Sequence, residues 1–220
     1  MTTHEEIREV QVKLHQLTHE NWYNHDFLTL DWWLLIIVMI FPWIIWWKLV
    51  DKDSLIEITL YGLFIALFSG ILDTIGFSLG LWSYPNKIVP INPPLFPADF
   101  TLLPVTYMLL YQYFTSWKPF IIASTIVFGV YTFAGEPFLE WLGVYTTYSW
   151  QYVYSFPIYV AMSVFCRWLV KQMQRIIDKK EKENQLLYTW LYVILQDNKR
   201  LREMKEKEPW WESILNLFNK

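Results

Sequence analysis

Apolar residues gather along the chain in long uncharged runs separated by short polar turns, the pattern of helices that are apolar around their whole circumference. The first run covers 32–50, with Pro42 near its middle and Trp32, Trp33, Trp46 and Trp47 bracketing it. The second covers 55–81 and carries Gly62, Gly70, Gly76 and Gly80, whose missing side chains let neighbouring helices approach closely. Shorter runs follow at 100–114, with Pro104, at 120–138, and at 153–170, with Pro157. About 20 apolar residues in a helix cross a bilayer core. The pattern therefore predicts an all-α fold: a polytopic membrane bundle of about five spans within residues 28–171.

The flanks read differently. In residues 1–27, Ile7, Val10, Leu14 and Leu17 recur at spacings of three and four among charged positions, which predicts an amphipathic surface helix. Residues 172–220 form a charged and amphipathic tail, in which Lys179, Lys180, Lys182, Glu181 and Glu183 read as a solvated helical face. The run 186–195 is too short to cross a membrane, and Pro209, Trp210 and Trp211 open a second surface-lying segment. Between the second and third runs, 85–97 is too rich in proline for a regular helix and predicts an ordered external loop or a re-entrant cap.

Composition sharpens this picture. Hydrophobic residues make up 54% of the chain and aromatic residues 20%, so the solvent of much of the surface is expected to be lipid. A net charge of -3 provides no basic surface for nucleic acid. Lys48, Lys52, Lys118, Arg167, Lys171 and Arg175 fall on one side of the five spans, whereas 134–151 contains no Lys or Arg. Positive charge marks the inner side, which predicts a multi-pass protein of the cell membrane with an external N-terminus and a cytoplasmic C-terminus. Charges of both signs before Trp32 do not fit a cleavable signal peptide. Cys166 has no partner for an internal disulfide and reads as a small buried hydrophobe. His15 and His19 share a helix face, but no further ligand accompanies them, and no cofactor or metal motif is expected.

The acids inside the apolar runs carry the candidate chemistry. Setting 72–82 beside 135–145 places Asp73 on Glu136, Leu79 on Leu142, Gly80 on Gly143 and Trp82 on Tyr145. This predicts two parallel helical-hairpin repeats with both acids at one depth, nine residues or about 13 Å below an aromatic edge. An ionised side chain in a bilayer costs roughly 2.5–3.5 kcal/mol on insertion scales, so each acid should face inward, pair or take up a proton. Asp73, Glu136, Asp99 and Glu140 are the candidate catalytic residues, and Trp82, Tyr84, Tyr107, Trp150 and Tyr152 the candidate ligand contacts. Competing structural roles are a helix cap for Asp99, interfacial water for Glu140, and a break at Pro137 that exposes Glu136 to water.

Taken together, Trp32–Trp33, Pro42–Trp43, the 79–85 edge, Pro104 with Tyr107, Gly135–Glu136–Pro137 and the 154–159 segment resemble a family of multi-span membrane proteins of spore-forming Firmicutes. That resemblance implies a class without implying an activity. Asp73, the edge Gly80–Leu81–Trp82–Ser83–Tyr84 and Pro97–Ala98–Asp99 are also similar to the membrane-embedded carotenoid (lycopene) cyclase domain. That family carries two adjacent acids after its proline, whereas here Phe100 follows Asp99. Two readings result: an accessory, binding or structural component of a Gram-positive membrane, or an enzyme acting on a lipid or isoprenoid through intramembrane carboxyls. The expected partners are the bilayer and a lipid or isoprenoid ligand, with protein partners and oligomerisation left open. Both readings place Asp73 inward, within electrostatic reach of Glu136 or Asp99.

Overall fold

The computed structural model describes residues 2–92 and 95–207, with side chains described to residue 200. The fold is all-α, and the chain divides into two compact units, Met1–Val170 and Lys171–Lys220. In the first unit, α1 (Thr3–Asn21) starts at a capping box: the Thr2 side chain accepts from the Glu5 N–H, and the Glu5 carboxylate from the Thr2 N–H. A π turn, Trp22–Asp26, ends it, and α2 (Leu30–Leu49) begins where the Thr29 hydroxyl accepts from the Trp32 N–H at 3.3 Å. Then come α3 (Leu55–Ser78), a π turn at Ala98–Leu102 running into α4 (Leu103–Tyr113), and α5 (Trp117–Val130), which continues through a π turn at Tyr131–Gly135 into α6 (Glu136–Trp141). The last helix, α7 (Tyr152–Lys207), starts in the first unit and supplies the described helix of the second. In that second unit the run 186–195 is helical and its apolar side chains are exposed, while Pro209, Trp210 and Trp211 lie outside the described residues.

Among the described residues four helices are long and apolar enough to cross a membrane: Leu30–Leu49, Leu55–Ser78, Trp117–Trp141 and Tyr152–Arg200. The remaining apolar run, 100–114, is shorter, a five-residue π turn and the eleven residues of α4. At about 1.5 Å per residue it falls short of a bilayer core of about 30 Å. Burial explains how so short a helix persists, because Leu103, Val105, Tyr107, Met108, Leu110 and Tyr111 are all enclosed by protein. Around it Tyr61 stacks on Tyr111 at 4.4 Å and Tyr107 on Phe128 at 4.0 Å. Both tyrosine hydroxyls are satisfied: Tyr61 donates to the Ser163 carbonyl at 3.2 Å and Tyr107 to the Tyr159 carbonyl at 2.9 Å. Arg167, also buried, donates to the Phe114 carbonyl at 2.6 Å and to that of Thr115, and lies 4.1 Å from the Phe120 ring centre. It thereby fills carbonyls that the end of α4 leaves open.

The two halves close in the same way. Leu79 N donates to Ile75 O and Leu142 N to Phe138 O, both at 3.0 Å; Leu81 N donates to Gly76 O at 3.0 Å and Val144 N to Leu139 O at 3.1 Å. Gly80 and Gly143, in register with these bonds, both take positive φ (68° and 72°), the left-handed conformation that glycine adopts without steric penalty. The chain after each glycine forms a short strand, β1 (Trp82–Ser83) and β2 (Thr146–Thr147), and the strands pair antiparallel with Ser83 opposite Thr146. Ser83 and Thr146 each lie three residues after their turn glycine. The 85–95 segment, in its described part, is an irregular loop pinned by side chains of α1, the following π turn and α2. The Trp22 indole donates to the Lys87 and Ile88 carbonyls (3.1 and 3.0 Å), the Trp32 indole to Ile88 (2.9 Å), and the Asn92 amide to Thr18 (3.1 Å).

Candidate functional site

Asp73 projects from the inner side of α3, and three donors converge on it. The Trp82 indole N–H reaches Oδ1 at 2.8 Å, the Tyr84 hydroxyl donates to the same oxygen, and the Leu95 N–H reaches Oδ2 at 3.3 Å. The first contact depends on Gly76: a Cβ there would lie 1.9 Å from the Trp82 ring, so only glycine lets the indole fold back along α3. Burial first, and then the charge of Asp73, hold the Tyr84 phenol well above its ordinary value, which keeps it a donor.

Asp99 lines the same cavity as Asp73, and Leu95 links the two: its N–H donates to Asp73, and its carbonyl accepts from the Asp99 N–H at 3.0 Å. Asp99 comes from the π turn before α4, whose extra residue per turn rotates the acid into the bundle. Its Oδ1 accepts from the Ser69 hydroxyl, and its Oδ2 is buried with no hydrogen-bond partner. The expected helix cap is therefore incorrect, because the backbone is already helical at Pro97 and Asp99 caps neither the turn nor α4.

Glu136 belongs to the same cavity. Its Oε1 accepts from the Tyr159 hydroxyl at 2.9 Å and its Oε2 from Ser155 at 3.1 Å, and the Trp150 indole donates to Ser155 at 2.9 Å. The helix break expected at Pro137 does not occur. Proline sits in the first turn of α6 and the preceding π turn carries the chain through, so Glu136 is buried rather than opened to water.

These three acids line one cavity of about 320 Å³ with Trp82, Tyr84, Tyr145 and Trp150. Trp82 meets Trp150 edge to face at 5.1 Å, and Tyr84 stacks on Tyr145 at 5.8 Å. Burial, and then the nearby Glu136, raise the Tyr145 phenol above its ordinary value. The lining contains no Lys, Arg or His. One wall is formed by Leu72 and Ile75 of α3 and by Leu79 just past its end, which are 41%, 50% and 68% exposed.

Three of the residues predicted from sequence lie elsewhere. Glu140 is half-buried and accepts from the Thr147 N–H (3.4 Å) and hydroxyl (3.3 Å), fastening β2 to α6, and it does not line the cavity. Tyr107 is enclosed in the core, and Tyr152 is the half-buried first residue of α7 outside the cavity. Ser69, Tyr145, Ser155 and Tyr159 were not anticipated from the sequence. A spacing of four residues, Ser69 to Asp73 and Ser155 to Tyr159, was the available signal, since it puts both members on one helix face. Among the described residues no three His, Cys, Asp or Glu side chains are grouped so as to hold a metal ion. Comparison of the chain with models of known protein families, with characterised proteins and with solved structures found no match.

Proposed function

We propose that the protein is a multi-pass integral membrane protein that admits an apolar lipid or isoprenoid chain into this cavity and acts on it by proton transfer. One observation carries the reading: two adjacent carboxyls and a third acid share an aromatic, apolar cavity, one wall of which is exposed at a lipid-length helix.

Asp73, with three donors, is the member of the pair that holds negative charge, and repulsion between like charges leaves the proton on Asp99. Asp99 delivers that proton to a carbon–carbon double bond or a weakly basic oxygen of the substrate. The positive charge that develops faces the rings of Trp82, Trp150, Tyr84 and Tyr145, whose π faces stabilise cations. Glu136 accepts a proton from the adjacent carbon, so the substrate is rearranged with no net gain or loss of atoms. Return of the proton from Glu136 to Asp99 resets the site.

The test is the lipid that purifies with the protein. Mass spectrometry of wild-type protein and Asp99→Asn, each purified with native lipid, is expected to find a substrate isomer enriched in the variant and its rearranged form in the wild type. Identical lipid profiles would reject proton-transfer chemistry. They would favour the second reading, an accessory or binding component, for which the full complement of donors on Asp73 is the supporting observation.

A further inference from the structure

We infer that the cavity binds an amphiphilic quaternary ammonium cation, its head held by the charge of Asp73 and Glu136 and by the aromatic rings around them. The inference rests on the reading above only in admitting an apolar chain to this cavity, and it requires no proton transfer.

Three observations converge. The first is the direction of the hydrogen bonds. The Trp82 indole and the Leu95 N–H can only donate, and both end on Asp73. At Glu136 the direction is fixed at one remove: the Trp150 indole donates to Ser155 Oγ at 2.9 Å, which leaves the Ser155 proton for Oε2, and the Tyr159 hydroxyl donates to Oε1. Bonds donated to a carboxyl favour its charged form, so the protein builds two carboxylates into one apolar cavity. The second is the missing counter-charge. The described residues that line the cavity include no Lys, Arg or His, and none of the hydrogen bonds to Asp73, Asp99 or Glu136 comes from a cationic side chain. Buried charge without a partner is costly, and a bound cation offsets that cost. The third is the lining itself. Two aromatic pairs, Trp82 with Trp150 and Tyr84 with Tyr145, supply the π surface that attracts alkylated ammonium groups. Because both oxygens of Asp73 and of Glu136 already accept from the protein, the site offers charge and ring surface rather than free acceptors. That suits a quaternary ammonium, a cation with no N–H to place. Leu72 and Ile75 line the same cavity and are themselves exposed, which gives the apolar tail a path out along α3.

Chain-matched probes separate charge from shape. The full chain in maltoside micelles is titrated with dodecyltrimethylammonium, with its uncharged carbon isostere 2,2-dimethyltetradecane and with dodecyl phosphate, and the unfolding temperature is the readout. The ammonium is expected to raise it, and the isostere and the phosphate to leave it unchanged. Glu136→Gln, which keeps the shape and removes the charge, should bind the ammonium roughly tenfold more weakly. Tyr145→Leu, which removes a ring, should bind it about fivefold more weakly. Stabilisation by the isostere equal to that by the ammonium would reduce the site to an apolar pocket and overturn the inference. Stabilisation by the phosphate would overturn it as well, and so would an ammonium effect of the same size in Glu136→Gln, which would belong to the micelle rather than to the cavity. If Glu136→Gln does not fold, the three probes on the wild type and on Tyr145→Leu still decide. Ammonium binding without any lipid rearrangement would uphold this inference and reject the proton-transfer reading; rearrangement without ammonium binding would do the reverse.

Discussion

At the scale of single residues, the site depends on a side chain that is absent. Gly76 leaves the space into which Trp82 folds, and Trp82 in turn donates to Asp73. Gly76→Ala drives a methyl group into the indole, an overpacking that typically costs 1–3 kcal/mol. The variant is expected to unfold at lower temperature and to lose the Trp82–Asp73 hydrogen bond, checked by thermal denaturation and by a change in bound lipid. Gly80 tests a different property, because nothing lies near its would-be Cβ while its φ is +68°. Gly80→Ala should cost about 1 kcal/mol from backbone strain alone and leave ligand selectivity intact. A larger loss at Gly80 than at Gly76 would show that the turn, not the indole seat, is the more demanding feature.

At the scale of elements, the pieces outside the bundle are held by buried polar groups that titrate. Asp26, at the end of the first π turn, is buried, and burial raises its carboxyl above the ordinary value against the opposing effect of Lys87. Burial likewise lowers the Lys87 ammonium, while the charge of Asp26 works the other way. A raised folded-state value means that the folded protein binds the proton more tightly than the unfolded chain. Asp26 therefore favours folding at acidic pH, and its contribution falls as pH rises from the unfolded value of an aspartate through the raised folded one. Asp26→Asn is expected to flatten this decline, measured as unfolding temperature against pH. An unchanged pH profile would show that other groups set it. The π turns act at this scale too: the turn before α4 directs Asp99 inward, and the turn before α6 carries the helix past Pro137.

At the scale of the whole molecule, the exposed surface of the lipid-length helices is apolar, with Leu63, Leu67, Ile122 and Ile126 all outward. Water does not support so continuous an apolar surface on a monomer, whereas lipid does. The distribution of Lys and Arg predicts that the 134–151 connection is outside and the end of α7 inside. A cysteine introduced at Ser149, which is exposed, should react with a membrane-impermeant maleimide added to intact cells. Protection there, with labelling only after permeabilisation, would reverse the orientation. The short α4 matters for the same experiment, since its enclosure by the other helices lets it persist without a bilayer-length apolar run of its own.

The sequence by itself determined the helical class and the long apolar elements, because hydrophobic run length and composition act locally. The Gly80 and Gly143 turns were legible as well, because matched helix ends need matched glycines. Only the tertiary structure decided what the acids touch. Asp99 reads in sequence as a helix cap, and a π turn, invisible in residue type, turns it towards Asp73. Glu140 reads as a member of the acid cluster because it shares a helix with Glu136, yet its contact is to β2, a strand formed only when the two halves meet. Tyr107 and Tyr159 each follow a proline closely, Pro104 and Pro157, but Tyr107 is sealed in the core whereas Tyr159 donates to Glu136. Contacts between distant segments depend on the relative rotation of packed helices, and no local pattern of side chains specifies that rotation.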